Sequence, residues 1–223
     1  MNAHSPALAE TEGLAAWIAP TRTALLIIDM QVDFGSPGGA VGQWGVDLST
    51  VPAALAAAER LAQGARAAQV PVIFIGLMTS AKTDSAAWSE RMRRRGGDPE
   101  SESGLCRIGE PGADFYGPLP VPGERVIAKT RYSAFHGTDL DSVLKGLGVD
   151  TLIVCGLTTE CCVGSTAWDA FHMDYHVFVA EDACAAYEPD LHAGALKSLE
   201  LNCAILVKSA DIAAAWAEAE AHG

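Results

Sequence analysis

Residues 150–172, DTLIVCGLTTECCVGSTAWDAFH, decide the fold. The run 151–155 is apolar and rich in β-branched residues, the pattern of a strand buried on both faces of a parallel sheet. A Gly-Leu-Thr-Thr turn follows, and a helix is expected to start near Glu160, which puts Cys162 in its first turn. In an open α/β sheet this is a place for chemistry. Ligands bind beyond the carboxyl ends of parallel strands, and the free N–H groups of a helix start stabilise an anion there. A thiol so placed is drawn toward thiolate. Residue type alone favours a plainer reading, in which Cys161 and Cys162 are small buried hydrophobes.

Two other stretches shift that balance. In TALLIIDMQVDF (23–34) an apolar run continues without polar interruption until Asp29, so a buried strand ends on a carboxylate. In ERVIAKTRYSAFHGTDL (124–140) a short run over 125–128 delivers Lys129 at what reads as another strand end. Each alone is weak, since an Asp after a strand usually caps a turn and a Lys is usually a solvated stem. Together they give three strands, each leading to one ionisable group: Asp29, Lys129 and Cys162.

With LLIIDMQVDF, IAKTRYSAFHGTDL and GLTTECCVGSTAWDA in hand, the chain resembles the isochorismatase-like cysteine hydrolases over about residues 22–216. That group includes nicotinamidases, N-carbamoylsarcosine amidases, biuret hydrolases and ureidoacrylate amidohydrolases. Its Gly-x-x-Thr-x-x-Cys-Val pattern makes Cys162, directly before Val163, the implied nucleophile and leaves Cys161 as its neighbour. The resemblance implies a triad of Asp29, Lys129 and Cys162. It also implies a cis peptide between Leu157 and Thr158 that aims the Thr158 and Cys162 amides at a substrate oxygen. In such a site Asp29 is the proton carrier and Lys129 the counter-ion, and the lysine together with the helix start is expected to lower the Cys162 pKa.

Substrate identity is less legible. Nicotinamidase-type relatives carry a metal-binding Asp and a pair of His after the second strand, whereas this chain reads FIGLMTSAKTDSAAW (74–88), without His. No metal and no cofactor is therefore expected. The six His, at 4, 136, 172, 176, 192 and 222, read as surface or helix-end residues. Tyr132, Ser133, Ala134 and Phe135 resemble the Lys-x-Arg-x-Ser-x-Phe run of the carbamoyl and ureidoacrylate amidases, and RIGEPG (107–112) resembles the biuret hydrolases. The implied substrate is a small linear amide or an N-carbamoyl or ureido compound. Candidate substrate contacts are Gln31 and Phe34 just past Asp29, Arg131 (for a carboxylate, or as a structural cation), Tyr132, Phe135 and Thr159.

Composition sets outer limits. With 223 residues, 49% of them hydrophobic, one large α/β domain is expected, without a second. Alternating strand and helix patterns predict an α/β/α sandwich with a six-stranded parallel, doubly wound, Rossmann-like sheet over 22–223, preceded by an arm over 1–21. Helices are expected over 48–68 (N-capped by Ser49), 86–95, 139–146, 189–201 and from 211. The stretch 31–47 is a Gly-rich loop, and the irregular segment 78–122 is long enough to suggest a lid. A net charge of −13 argues against nucleic acid or an anionic membrane as partner. Six scattered Cys do not form a disulfide framework, and the N-terminus lacks the features of a signal peptide, so a cytoplasmic protein is expected. The resemblance and the Ala-rich helices suggest a homodimer or homotetramer. Three readings stay open: a metal-independent cysteine amidohydrolase, an isochorismatase-type vinyl-ether hydrolase that has no need of the thiol, and a non-catalytic thiol-based binding or redox module.

Overall fold

The structure is a computed structural model and describes residues 13–221. Six strands form one parallel sheet in the order β3-β2-β1-β4-β5-β6: β1 (Thr23–Ile28), β2 (Val72–Leu77), β3 (Arg125–Lys129), β4 (Thr151–Leu157), β5 (His176–Ala185) and β6 (Ile205–Val207). β1, β2 and β4 are buried at every position, as their uninterrupted apolar runs require for strands covered on both faces. The winding reverses between β1 and β4, so the chain ends carrying Asp29 and Cys162 are neighbours at the crevice that this topology opens.

The helices are α1 (Leu14–Trp17), α2 (Val32–Gly35), α3 (Ala40–Gln43), α4 (Val51–Ala67), α5 (Ala86–Arg94), α6 (Pro99–Ser103), α7 (Leu140–Leu147), α8 (Gly164–His172), α9 (Pro189–Asn202) and α10 (Ser209–Ala221). The Ala-rich face of α4, with Ala54, Ala58, Leu61, Ala62 and Ala65, is buried, and Gly64 lies against Ala213 of α10. These alanines therefore serve packing within the chain. The start of α4 differs from expectation. Ser49 caps nothing and instead bonds Asp47, while Thr50 donates to the Ala186 carbonyl at 2.8 Å.

Of the expected N-terminal arm, residues 1–12 lie outside the described residues. The part that follows is docked: Ile18 is buried and its carbonyl accepts from Trp216 Nε1 of α10 at 2.9 Å. The loop after β1 contains two one-turn helices, α2 and α3, that the glycines of this stretch did not announce. They are tied down by Asp33, whose carboxylate accepts from the Ala40 amide at 3.0 Å and the Cys106 amide at 2.7 Å.

Candidate active site

Each member of the expected triad stands where a strand stops. Asp29 follows β1 with its amide still bonded to Ile75 of β2, but its φ of 49° lies in the left-handed region that side chains other than Gly rarely adopt. The turn directs a fully buried carboxylate over the sheet edge. Lys129 closes β3, paired with Leu77 of β2, and its long stem crosses the end of β2 to reach the Asp29 side chain. Cys162 approaches from β4. That approach depends on Gly156, with φ 133°: a Cβ there would lie 2.0 Å from the Ile28 carbonyl oxygen, so only glycine lets β4 close on the end of β1.

Beyond β4 the Leu157–Thr158 peptide is cis, in line with the resemblance. The helix does not begin as a regular α-turn near Glu160. Residues Thr159–Val163 form a single π-helical turn, in which the Val163 amide donates to the Thr158 carbonyl at 3.2 Å, and α8 starts only at Gly164. Wide turns of this kind recur at functional sites. Cys162 sits within this turn, 7% exposed. Thr166 Oγ1 donates to the Cys162 carbonyl at 2.7 Å and accepts from the Ala134 amide at 3.0 Å, which fastens the turn to the segment after β3.

Lys129 Nζ is the hub. It stands 2.7 Å from Asp29 Oδ2 and 3.4 Å from Cys162 Sγ, and it donates to the Arg131 carbonyl at 2.9 Å. The contact to Asp29 is an ion pair by distance; its angles fall short of a hydrogen bond at either carboxylate oxygen. Burial raises the Asp29 pKa, with the Lys129 charge pulling against it. Burial lowers the Lys129 amine, but the Asp29 carboxylate and the Cys162 thiol together outweigh burial and hold it above its ordinary value. Ammonium and carboxylate thus sustain each other where either alone would neutralise.

The expected lowering of the Cys162 pKa does not hold. The Cys161 thiol beside it, burial and the Asp29 carboxylate push it well above the usual thiol range, and Lys129 offsets only part of this. Two anions within one dry site repel, so the Asp29 carboxylate and a Cys162 thiolate disfavour each other.

Asp29 and Cys162 face a cavity of about 230 Å³ that also touches Leu157, Thr158 and Cys161. Its outer wall is largely aromatic, built from Phe34, Trp44, Trp88, Tyr132 and Tyr187. It is small for a ligand site, which suits a substrate of few atoms. A larger open groove of about 610 Å³ lies between α1, α9 and β5 and contains none of the three ionisable groups. The chemistry belongs with the smaller cavity.

Of the expected substrate contacts, Phe34 and Tyr132 line this cavity; Gln31, Arg131, Phe135 and Thr159 do not. The Gln31 amide group is buried and bonded to both backbone groups of Leu77 and to the Ala113 carbonyl, so it braces the sheet edge. Arg131 donates to the Thr83 and Thr130 carbonyls. Phe135 packs on Tyr175, with ring centroids 6.0 Å apart. Thr159 Oγ1 is 2.8 Å from Nδ1 of His192, whose ring is half-buried and so is no free surface residue.

Trp44, Leu105 and Tyr187 come from irregular stretches without periodic signal, and Trp88 and Arg91 sit on the expected helix 86–95, whose position over the cavity no periodicity reports. The segment 78–122 forms part of the cavity wall, through Trp88, Arg91 and Leu105. It is pinned by the Thr79 hydroxyl to the Leu105 carbonyl at 2.6 Å and by a bridge between Gln31 and Phe115. Among the described residues no group of three or more His, Cys, Asp or Glu is arranged to hold a metal ion, and no helix is long and apolar enough to cross a membrane.

Comparison with known proteins follows the same lines. The model of the isochorismatase domain matches residues 23–211. A ureidoacrylate amidohydrolase of Methylobacterium radiotolerans is 34% identical over 191 residues, covering 81% of this chain and 74% of that protein. Among solved structures, a cysteine hydrolase from Pseudomonas syringae pv. phaseolicola superposes with a TM-score of 0.79 at 29% identity, over 91% of this chain and 96% of that one. N-carbamoylsarcosine amidase from Thermoplasma acidophilum gives a TM-score of 0.66 at 25% identity, over 84% of this chain and 96% of that one.

Proposed function

Because the chain belongs to the isochorismatase family and is a hydrolase of carbon–nitrogen bonds other than peptide bonds, we propose that it cleaves a small amide or N-carbamoyl compound through a covalent acyl-enzyme on Cys162. The observation that carries this reading is the buried cluster in which one ammonium stands 2.7 Å from a carboxylate and 3.4 Å from a thiol, open to a small cavity.

A thiol whose ionisation Cys161, burial and Asp29 all disfavour supports an attack coupled to proton transfer. Cys162 Sγ attacks the carbonyl carbon as its proton passes to Asp29, so charge moves from carboxylate to substrate oxygen without two anions coexisting. The oxyanion is received by the Thr158 and Cys162 amides, a contribution typically worth about 3 kcal/mol per donor. As the carbon–nitrogen bond breaks, Asp29 returns the proton to the leaving nitrogen, and ammonia or an amine departs. Water then attacks the thioester, Asp29 takes its proton, and the free acid leaves as Sγ is reprotonated. Lys129 keeps Asp29 ionised at the start of each half-reaction.

The relatives' names suggest where to look for substrates: ureidoacrylate and N-carbamoylsarcosine are both small and linear. Ammonia release from a panel of primary amides, N-carbamoyl acids and ureido acids, with mass spectrometry of rapidly acid-quenched enzyme, tests the proposal. Ammonia together with an acyl adduct on the 161–162 peptide is expected. Turnover with the adduct on another residue would overturn the mechanism, and ammonia release from no member of the panel would overturn the activity.

A further inference from the structure

We infer that Arg131 is a positioning residue that holds the aromatic wall of the cavity in place, and that its side chain takes no part in binding substrate. Its two ends point in different directions. The backbone carbonyl accepts from the Lys129 ammonium at 2.9 Å, within the charged cluster. The guanidinium turns away from the cavity, donating to the Thr83 carbonyl at 3.0 Å and the Thr130 carbonyl at 2.6 Å, and lies 5.6 Å from the centre of the Trp88 ring. Trp88 in turn packs on Tyr132, with centroids 5.3 Å apart and planes inclined by 30°. Trp88 and Tyr132 both line the cavity.

The need for such a clamp follows from α5. None of its residues is buried, so it lacks the apolar face by which a surface helix ordinarily holds to its domain. Trp88, partly buried, is the α5 residue that packs against the small apolar cluster that includes Leu77, Leu105 and Cys106. A planar cation stacked on that indole, with its N–H groups anchored on the backbone at residues 83 and 130, fixes the ring in two directions. Lysine has the charge but neither the plane nor the fork. One residue therefore ties the cavity wall to the strand end that carries the catalytic ammonium.

The test uses Arg131→Met and Arg131→Lys in the full chain. Amide hydrogen exchange over 86–94 is expected to quicken by about tenfold or more in both, from loss of the stacked cation and its backbone contacts, while 23–28 and 151–157 stay as in the parent. In turnover, KM should rise about tenfold for neutral and carboxylate-bearing amides alike, with kcat within about threefold, because the Arg131 carbonyl still receives Lys129. A KM loss confined to carboxylate-bearing substrates would show that Arg131 binds substrate and would overturn the inference. So would unchanged exchange over 86–94, or full recovery by lysine. The kinetic arm rests on the amidohydrolase reading. The exchange arm does not, so a parent that releases no ammonia sinks that reading while leaving the clamp to be judged on exchange alone.

Discussion

Replacing Lys129 with Met leaves the stem and removes the charge, which turns a buried ion pair into a lone buried carboxylate. The pair is closed at 2.7 Å, and both side chains are at most 1% exposed, so neither water nor another cation replaces the ammonium. Losing one partner of such a pair costs about 3–5 kcal/mol. The penalty falls only on the ionised form of Asp29, which fixes its pH dependence. Burial already raises the Asp29 pKa with Lys129 present; without Lys129 it rises further. A carboxyl group whose folded-state pKa lies above its unfolded value of about 3.9 takes up protons on folding, so stability falls as pH rises between those two values. Parent and variant should therefore differ least in mild acid, near pH 4, and the gap should widen toward neutrality for as long as Asp29 in the folded variant stays protonated. Urea unfolding at several pH values from 4 to 8 measures this. The double variant Asp29→Asn with Lys129→Met, which has no orphan charge, should recover part of the loss at pH 7. Since protonated Asp29 cannot accept the thiol proton, turnover in Lys129→Met should drop by about 10²–10⁴. A stability difference that is constant across pH would refute the assignment of Lys129 as the group that sets ionisation here.

Other consequences are simpler. Cys162→Ser should abolish amide hydrolysis while Cys161→Ser keeps most of it, and a dead Cys161→Ser enzyme would reverse the nucleophile assignment. Activity should survive exhaustive EDTA treatment, because the stretch directly after β2 (78–88) offers no His for a nicotinamidase-type metal site; loss that returns with zinc would disprove it. Gly156→Ala places a methyl 2.0 Å from the Ile28 carbonyl and forces β4 from β1, so its melting temperature should fall by many degrees, and a shift within about 2 °C would contradict the close approach. Light scattering at micromolar concentration should give a dimer or tetramer. Exposed Phe171 (46%), Met173 (45%) and Leu201 (70%) offer apolar surface for it now that the alanines of α4 are buried, and a monomeric mass would exclude it.

What the sequence by itself determined is local: runs such as 23–28 and 151–155 can only be satisfied between two layers, and an ionisable residue follows each near a strand end. Together with the family resemblance, whose Cys-Val register chose Cys162 over Cys161, that was enough to propose Asp29, Lys129 and Cys162 before any distance was known. Tertiary structure alone decided the rest. The order of strands makes β1 and β4 neighbours, and Gly156 sets how closely they meet. A π-turn, not a regular helix start, carries Cys162, and the Cys161 thiol together with burial raises its pKa where sequence position suggested lowering it. Arg131 and Gln31, polar residues beside the triad, read equally well as substrate ligands or as braces until their hydrogen bonds to Thr83, Leu77 and Ala113 are seen. The cavity wall escaped sequence reasoning for a related reason. Trp44 and Leu105 sit in stretches without period and Trp88 on a helix whose docking its pattern does not report, and the surrounding wall is tied by a few long-range bonds from Asp33, Thr79 and Gln31. Hydrophobic periodicity reports which face of an element is covered, but it carries no information about which distant loop does the covering.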